Sequence, residues 1–179
     1  MRPASISGDN STDIEFMDHA INWFYENESV VPEFFVHLRP TNPLRKVSYI
    51  NDAIEKMQKD ESATSLRSAH LAGNTPFKWF HKNDEGYFHS ILGNITNDEA
   101  NNPRQAFPDV YIPDGHVDIL RTKFLVENDL MHGSRMIGYI CPHSVDVDVK
   151  SDVELLEYLT TKNESEILTY LKNNYQKEI

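Results

Sequence analysis

The sequence FFVHLRPTNPLR, residues 34–45, decides the fold class of this chain. Its first half is a short apolar run typical of a central strand, and its second half is a cationic loop with two prolines. In open α/β sheets, ligands bind beyond the carboxyl ends of the strands. Arg39 and Arg45, with Thr41 and Asn42 between them, therefore predict an anion-binding loop. The alternative is a strand, a rigid turn and two solvated arginines, and this stretch alone favours neither.

The composition favours one domain and argues against several kinds of partner. The chain has 179 residues, with 28 acidic and 17 basic side chains and a net charge of -11, which disfavours nucleic acid and anionic membranes. The amino terminus has no signal-peptide pattern, and no run approaches the roughly 20 apolar residues of a membrane helix, so we expect a cytoplasmic protein. The single cysteine, Cys141, lies in an apolar run and is predicted to be a buried structural thiol.

Helix and strand patterns alternate in the first half of the chain. A capping box at Thr12 and Glu15 predicts a helix over about Asp13 to Tyr25, and a second helix is predicted to begin at Ser48. Residues 63–69 are suited to a strand parallel to, and beside, the first one. This order predicts an α/β layer architecture with a mostly parallel sheet.

The second half divides into less regular pieces. Residues 75–80 and 86–92 fit either short strands or an aromatic loop, and Pro113-Asp-Gly115 is predicted to form a turn between two strands. Further predictions are a loop over 97–104, a helix over 123–127, a strand over 135–141 and an extended segment over 145–149. A capping box at Ser151 and Glu154 predicts a helix that buries Leu155, Leu156 and Leu159. A last helix is predicted from Ser165 to about Tyr175.

Asp146 and Asp148 form the strongest candidate site. Two carboxylates on one side of an extended segment are costly to hold close unless a cation lies between them. Ligation by oxygen alone suits Mg²⁺, which usually also binds substrate phosphates. An anionic substrate would need such a metal, or a local basic cluster, to overcome the net charge. The alternative is an exposed strand edge with two solvated acids before a helix.

Other polar residues give weaker local indications. Arg104 and Lys78 are each framed by prolines and aromatic residues, which would hold a cation still for a carboxylate or phosphate; alternatively both are surface charges. Asp114 fits a turn and Asp118 a polar strand position. The sequence contains no zinc motif, no P-loop and no G-x-G-x-x-G pattern.

Several motifs together resemble those of the acylneuraminate cytidylyltransferases. They occur along the whole chain in the order that the family has: Leu38–Arg45, Thr64–Ser68, Pro76–Lys78, Pro103–Pro108, Asp114-Gly115 and Asp146–Asp148. Each motif alone is weak, but their common order is specific for enzymes that activate sialic acid or related acidic sugars.

The resemblance implies a three-layer Rossmann-like nucleotidyltransferase fold that transfers CMP from CTP to an acidic sugar, with Mg²⁺ and release of pyrophosphate. On this basis Asp146 and Asp148 are the metal-binding aspartates and Arg104 contacts the sugar. The substrate-binding residues implied are Arg39, Lys78, Gln105, Asp114 and Asp118. Asp114 replaces a more usual Asn and Asp118 a common aromatic residue, and both changes bear on sugar specificity.

The family begins with a strand and a basic loop that binds CTP, and this sequence lacks that loop. We therefore expect a single domain over 1–179, truncated at its amino terminus, that is inactive alone unless another chain supplies the loop. Residues 105–140 include a dimerisation-type segment, so a homodimer or pairing with a complete paralogue is expected. The alternative is a non-catalytic subunit that binds sugar acids. A metal-dependent phosphohydrolase is a third hypothesis, although no nucleophile or base is visible.

Overall fold

A computed structural model describes residues 2–162 and 165–175. Five helices and six strands are present in this part of the chain. The helices are α1 (Asp13–Glu28), α2 (Val47–Lys59), α3 (Thr122–Asn128), α4 (Lys150–Lys162) and α5 (Glu166–Asn174). The strands are β1 (Phe34–His37), β2 (Ser65–Leu71), β3 (Phe80–Lys82), β4 (Phe88–Ser90), β5 (Tyr111–Arg121) and β6 (Met136–Ile140).

The predicted first helix is confirmed and is three residues longer than expected. Its start is fixed by the capping box, in which the Thr12 N–H donates to the Glu15 carboxylate at 2.6 Å. It ends at Glu28, where Ser29 adopts a left-handed conformation with φ 53°. The second helix begins one residue before the predicted start.

The prediction of a mostly parallel sheet is wrong. The main sheet has the order β1-β5-β2-β6, and only β2 and β6 are parallel neighbours. The predicted pairing of β1 with β2 does not form, because β5 lies between them and is antiparallel to both. β1, β2 and β6 nevertheless run in the same direction, so their carboxyl ends meet at one edge of the sheet.

The predicted turn at Asp114-Gly115 is instead a bulge within one long strand. β5 is continuous over Tyr111–Arg121, and its register with β2 shifts between Arg67 and Ala69. Gly115 has φ +63°, and a Cβ there would lie 2.9 Å from Cδ of Arg39. The bulge therefore requires glycine both for its backbone conformation and for the close approach of the 38–46 loop.

The core has one layer on each face of the sheet. On one face α2 supplies Ala53 and Met57, which pack with Val117 and Ile119 of β5. On the other face Met17 of α1 packs with the next residue of the strand, Leu120. Alternating residues of β5 thus point to opposite helices, and the three-layer α/β architecture is confirmed.

The carboxyl-terminal helices differ from the prediction in their burial. No residue of α4 is buried, and Leu155 is 44% exposed, so the expected burial of Leu155, Leu156 and Leu159 is wrong. The start of α4 is capped by Asp152, whose carboxylate accepts hydrogen bonds from the N–H groups of Asp148 and Val149. The expected last helix is confirmed as α5.

The middle segment forms a short hairpin of β3 and β4, followed by 3₁₀ turns at Glu99–Asn101 and Arg104–Ala106. Among the helices of the described residues, none is sufficiently long and apolar to cross a membrane.

Candidate functional site

The candidate site lies at the edge of the sheet where β1, β2 and β6 end. The segments that leave these strands are the 38–46 loop, the stretch after Leu71 and residues 141–149. The bulge of β5 lies at the same edge, since Ala69 of β2 pairs with Pro113. In open α/β sheets, ligands bind at this kind of edge.

The 38–46 loop is fixed against the bulge by buried hydrogen bonds. Asn42 is fully buried; its Nδ2 donates to the Asp114 carbonyl at 2.9 Å, and its Oδ1 accepts from Ser144 Oγ at 2.8 Å. Arg45 Nε donates to the His116 carbonyl at 2.7 Å, and the same guanidinium donates to the carbonyls of Gly115 and Arg39. Arg45 therefore holds the backbone of the loop against the backbone of the bulge. This favours a structural role for Arg45 over the alternative of a solvated surface arginine.

Arg39 belongs to a partly buried ionic network on the α1 face. Its guanidinium lies 2.5 Å from Asp13 of α1 and 3.9 Å from Asp118, and Arg67 Nε lies 3.6 Å from the other oxygen of Asp118. Asp118 is 1% exposed. Burial raises the pKa of this carboxyl, and the charges of Arg67, Arg39 and His37 partly offset that effect.

Sequence reasoning missed two members of this network. Asp13 was recognised only as the first residue of a helix, and Arg67 only as part of a motif. A positively charged residue within a buried strand requires an opposite charge, so Arg67 could have indicated a buried acid. Its partner, Asp118, is distant in sequence and becomes adjacent only through the antiparallel pairing of β2 with β5.

Asp114 is an internal hydrogen-bond acceptor. One carboxylate oxygen accepts from Ser68 Oγ at 2.6 Å and from the His116 N–H at 3.1 Å, and the other accepts from Cys141 Sγ at 3.1 Å. Burial opposes ionisation, but these three hydrogen bonds together lower the pKa of Asp114. Burial, with the nearby Asp114 carboxylate, raises the pKa of Cys141 to about 12. The prediction of a buried, unreactive thiol is confirmed, with Cys141 6% exposed.

Asp146 and Asp148 lie in a segment beside the 38–46 loop. The segment is not a strand; it is attached to the loop by the Val147 N–H, which donates to the Thr41 carbonyl at 2.8 Å. Asp146 is half-buried, its Oδ1 is buried without a hydrogen-bond partner, and its charge acts on Arg45. Asp148 is exposed.

Of the two aspartates, Asp146 has an unsatisfied carboxylate oxygen that would suit a bound cation, and Asp148 is exposed. Within residues 2–162 and 165–175, no group of three or more His, Cys, Asp or Glu side chains could hold a metal. Mg²⁺ is often held by only one or two carboxylates together with water and substrate phosphates. A buried carboxylate oxygen without a partner is costly, and a bound cation would satisfy that of Asp146.

The other predicted residues form a second group after β2. Lys78 Nζ donates to the Asn102 carbonyl and Arg104 donates to the Ala72 carbonyl, each at 2.8 Å. Phe77 stacks on Phe107 with ring centroids 5.4 Å apart, which joins the segments on which the two cations lie. Lys78 and Arg104 use only some of their N–H donors in these bonds, and the adjacent Gln105 is exposed.

The layered sheet with polar residues at its carboxyl edge has a Rossmann-like architecture. The solved structure of a CMP:2-keto-3-deoxy-manno-octonic acid synthetase complexed with CTP matches it with a TM-score of 0.55. The match covers 86% of this chain and 70% of that one, at 12% sequence identity.

Sequence comparison identifies a relative of the same class. The N-acylneuraminate cytidylyltransferase of Escherichia coli O18:K1:H7 (strain RS218 / NMEC) is 24% identical over 175 residues. The alignment covers 97% of this chain, which spans 39% of the length of that relative. No protein-family model matches the chain. Together, the sequence and structure comparisons confirm the resemblance to acylneuraminate cytidylyltransferases.

Proposed function

We propose that this chain provides the acidic-sugar and metal-binding part of a cytidylyltransferase. The reaction would transfer CMP from CTP to the anomeric hydroxyl of a sialic-acid-like or other nonulosonic acid and release pyrophosphate. The observation that supports the proposal most directly is Asp146, whose buried and unpartnered Oδ1 lies beside the 38–46 loop at the carboxyl edge of the sheet.

Asp146 and Asp148 would hold the metal. Bound Mg²⁺ would reduce the phosphate charge that opposes attack by the sugar hydroxyl. Asp146 is held in place because its neighbour Val147 is bonded to Thr41, whereas Asp148 precedes α4 and is exposed. The first carboxylate would thus be preorganised, and the second is accessible to the metal and substrate.

Lys78, Arg104 and Gln105 would bind the sugar acid. The two cations are oriented by the carbonyls of Asn102 and Ala72 and keep further donors for a carboxylate. Gln105 lies on the same exposed turn as Arg104, and its side-chain amide adds a neutral hydrogen-bond donor and acceptor.

Three residues would determine the shape of the sugar pocket and would not bind the sugar carboxylate. They are Arg39, Asp114 and Asp118. Asp13 and Asp118 largely neutralise Arg39, so this arginine is less suited to capture a free carboxylate than Arg104. Asp114 is only 4% exposed and stabilises the bulge. The family more usually has Asn at the position of Asp114 and an aromatic residue at that of Asp118. These two differences would alter the positions of Arg39 and of the bulge in the pocket wall, and so influence which sugar fits.

The remaining part of the proposal concerns the nucleotide and the assembly. A complete paralogue would supply a basic loop for the CTP phosphates. Residues 105–140 would form the contact in that pairing or in a homodimer. The cytoplasm, where CTP is available, is the proposed location.

Calorimetry with the isolated chain and with an added amino-terminal nucleotide-binding fragment tests this proposal. We expect an acidic sugar to bind, and Mg²⁺ with CTP to bind in the presence of the fragment. Asp148→Asn should weaken Mg²⁺ binding, whereas Asp84→Asn, an exposed aspartate on the β3–β4 turn, should not. Sugar binding with no response to CTP or Mg²⁺ under either condition would instead establish a non-catalytic binding subunit.

A further inference from the structure

The proposed reaction requires a group that accepts a proton. When the anomeric hydroxyl of the sugar attacks the α-phosphorus of CTP, its oxygen must lose the attached proton. The proposed ligand-binding residues do not suit this role, because Lys78 and Arg104 are cationic donors and the carboxylates of Asp146 and Asp148 would hold the metal. Histidine is the side chain most often used as a general base. One histidine, His70, lies at the same edge of the sheet.

His70 lies between the two groups of residues that would bind the sugar and the metal. It is the penultimate residue of β2, and Ala72, two residues further, accepts the hydrogen bond from Arg104 at 2.8 Å. The His70 ring packs edge-on against the ring of His143, with centroids 4.5 Å apart. The segment that contains His143 leads directly to Asp146. His70 therefore adjoins both the backbone that anchors Arg104 and the segment that carries Asp146.

A buried carboxylate lies beside one nitrogen of the His70 ring. Nδ1 is 3.7 Å from Oδ2 of Asp114 and is buried without a hydrogen-bond partner among the described residues. Burial opposes ionisation of Asp114, but its hydrogen bonds lower its pKa overall, so the carboxylate is charged near neutral pH. Catalytic hydrogen bonds are often long before substrate binds, and a small rotation of the ring brings Nδ1–H to Oδ2.

The other nitrogen of the His70 ring remains available. Unlike Nδ1, Nε2 is not enclosed, and the side chain as a whole is 15% exposed. The Cys141 thiol donates to the same Asp114 oxygen at 3.1 Å and keeps its proton, since burial raises its pKa to about 12. When Asp114 holds the imidazole proton on Nδ1, Nε2 carries the lone pair that can accept a proton.

We propose that His70 is the general base of the transfer and that Asp114 positions it. Nε2 would accept the proton of the anomeric hydroxyl as the anomeric oxygen bonds to the α-phosphorus. The bond from that phosphorus to the oxygen between the α- and β-phosphates breaks, and pyrophosphate leaves. The inference rests on the proposed function and deepens it, because it adds a proton acceptor that neither the metal-binding aspartates nor the two cations provide.

Pyrophosphate release by the full chain, with the amino-terminal fragment, CTP, Mg²⁺ and the acidic sugar, tests the role of His70. We expect His70→Ala to lower kcat by about 100-fold or more while the KM for the sugar changes little. Added imidazole should restore part of the rate by entering the vacated space, which would not happen if His70 were only structural. His81→Ala, which replaces an exposed histidine of β3, is the control and should keep the wild-type rate. Circular dichroism checks the folding of both variants.

Nuclear magnetic resonance tests the arrangement without any substrate. In alkaline buffer, proton–nitrogen correlation spectra should show the neutral His70 ring with its proton on Nδ1, and the loss of these signals in His70→Ala assigns them. Asp114→Asn should increase the share of the tautomer with its proton on Nε2, because the asparagine amide can donate to Nδ1.

Three results would overturn the inference and leave the cytidylyltransferase proposal intact. They are an unchanged rate in His70→Ala, a loss of rate that imidazole does not restore, and a wild-type ring protonated on Nε2 alone. No release by the wild-type chain with any acidic sugar would instead overturn the proposed function, and the inference with it. The two failures are therefore distinguishable.

Discussion

Two groups of predicted site residues differ in how firmly the protein holds them. The inner group, Asn42, Arg39, Asp114, Gly115 and Asp118, connects the 38–46 loop to the β5 bulge and is mostly buried. The outer group lies on turns after β2, where Arg104 and Gln105 are exposed and Lys78 is half-buried. The inner residues use their polar atoms within the protein, whereas the outer ones keep donors for a ligand. Substitutions in the first group should therefore change stability, and those in the second should change binding.

The largest loss of stability is expected for Asn42→Ala. It would leave the buried Asp114 carbonyl and Ser144 hydroxyl without their present partners, at a cost of about 2–3 kcal/mol in the free energy of unfolding. Urea denaturation measures the effect. Asn101→Ala, at an exposed asparagine, is the control and should be nearly neutral. Equal small effects of both changes would show that the inner group is not a structural unit.

Gly115→Ala is expected to cost about 1–3 kcal/mol, because an L-residue at φ +63° is strained and the new Cβ would contact Arg39. Gly73→Ala is the matched control, since nothing lies within 4 Å of a Cβ there. Thermal unfolding of both variants compares them. A Gly115→Ala protein as stable as the control would contradict the close approach of the loop to the bulge.

Asp114→Asn should change how stability depends on pH. The pKa of Asp114 is lowered in the folded protein, so ionised Asp114 contributes stability above its unfolded pKa of about 4, and the contribution is lost as pH falls through the folded value. We expect the variant to lose less stability than the wild type between about pH 5 and pH 2. Urea denaturation across that range is the measurement, and parallel curves for the two proteins would disprove the assignment.

Lys78→Ala should have the smallest effect on stability, within about 0.5 kcal/mol, because its side chain is on the surface and makes one hydrogen bond to a carbonyl. It should instead weaken binding of the acidic sugar in calorimetry. Lys82→Ala, on the nearby strand β3, provides the exposed control. Unfolding of Lys78→Ala, or unchanged sugar affinity, would remove the distinction between the two groups.

Local patterns predicted the features that depend on neighbouring residues. The capping box gave the start of α1, the helical spacing gave α2 and α5, and the apolar run around Cys141 gave its burial. The cationic loop after β1 was correctly expected at the edge where strands end, because that expectation depends only on strand direction.

Features that depend on distant residues were not predictable in this way. The place of β5 between β1 and β2 arises from pairing across the whole chain. The Pro113-Asp-Gly115 sequence suits a turn and a bulge equally well, and only the register with β2 separates them. In α4 the leucine pattern identified an apolar side but not whether another element would cover it.

The most direct test of the proposed function is CTP-dependent release of pyrophosphate with a panel of acidic sugars. The assay uses this chain with an added amino-terminal nucleotide-binding fragment. We predict release that requires Mg²⁺ and one class of acidic sugar, is lost in Asp148→Asn and is retained in Asp84→Asn. No release with any sugar, or release unaffected by Asp148→Asn, would contradict the account.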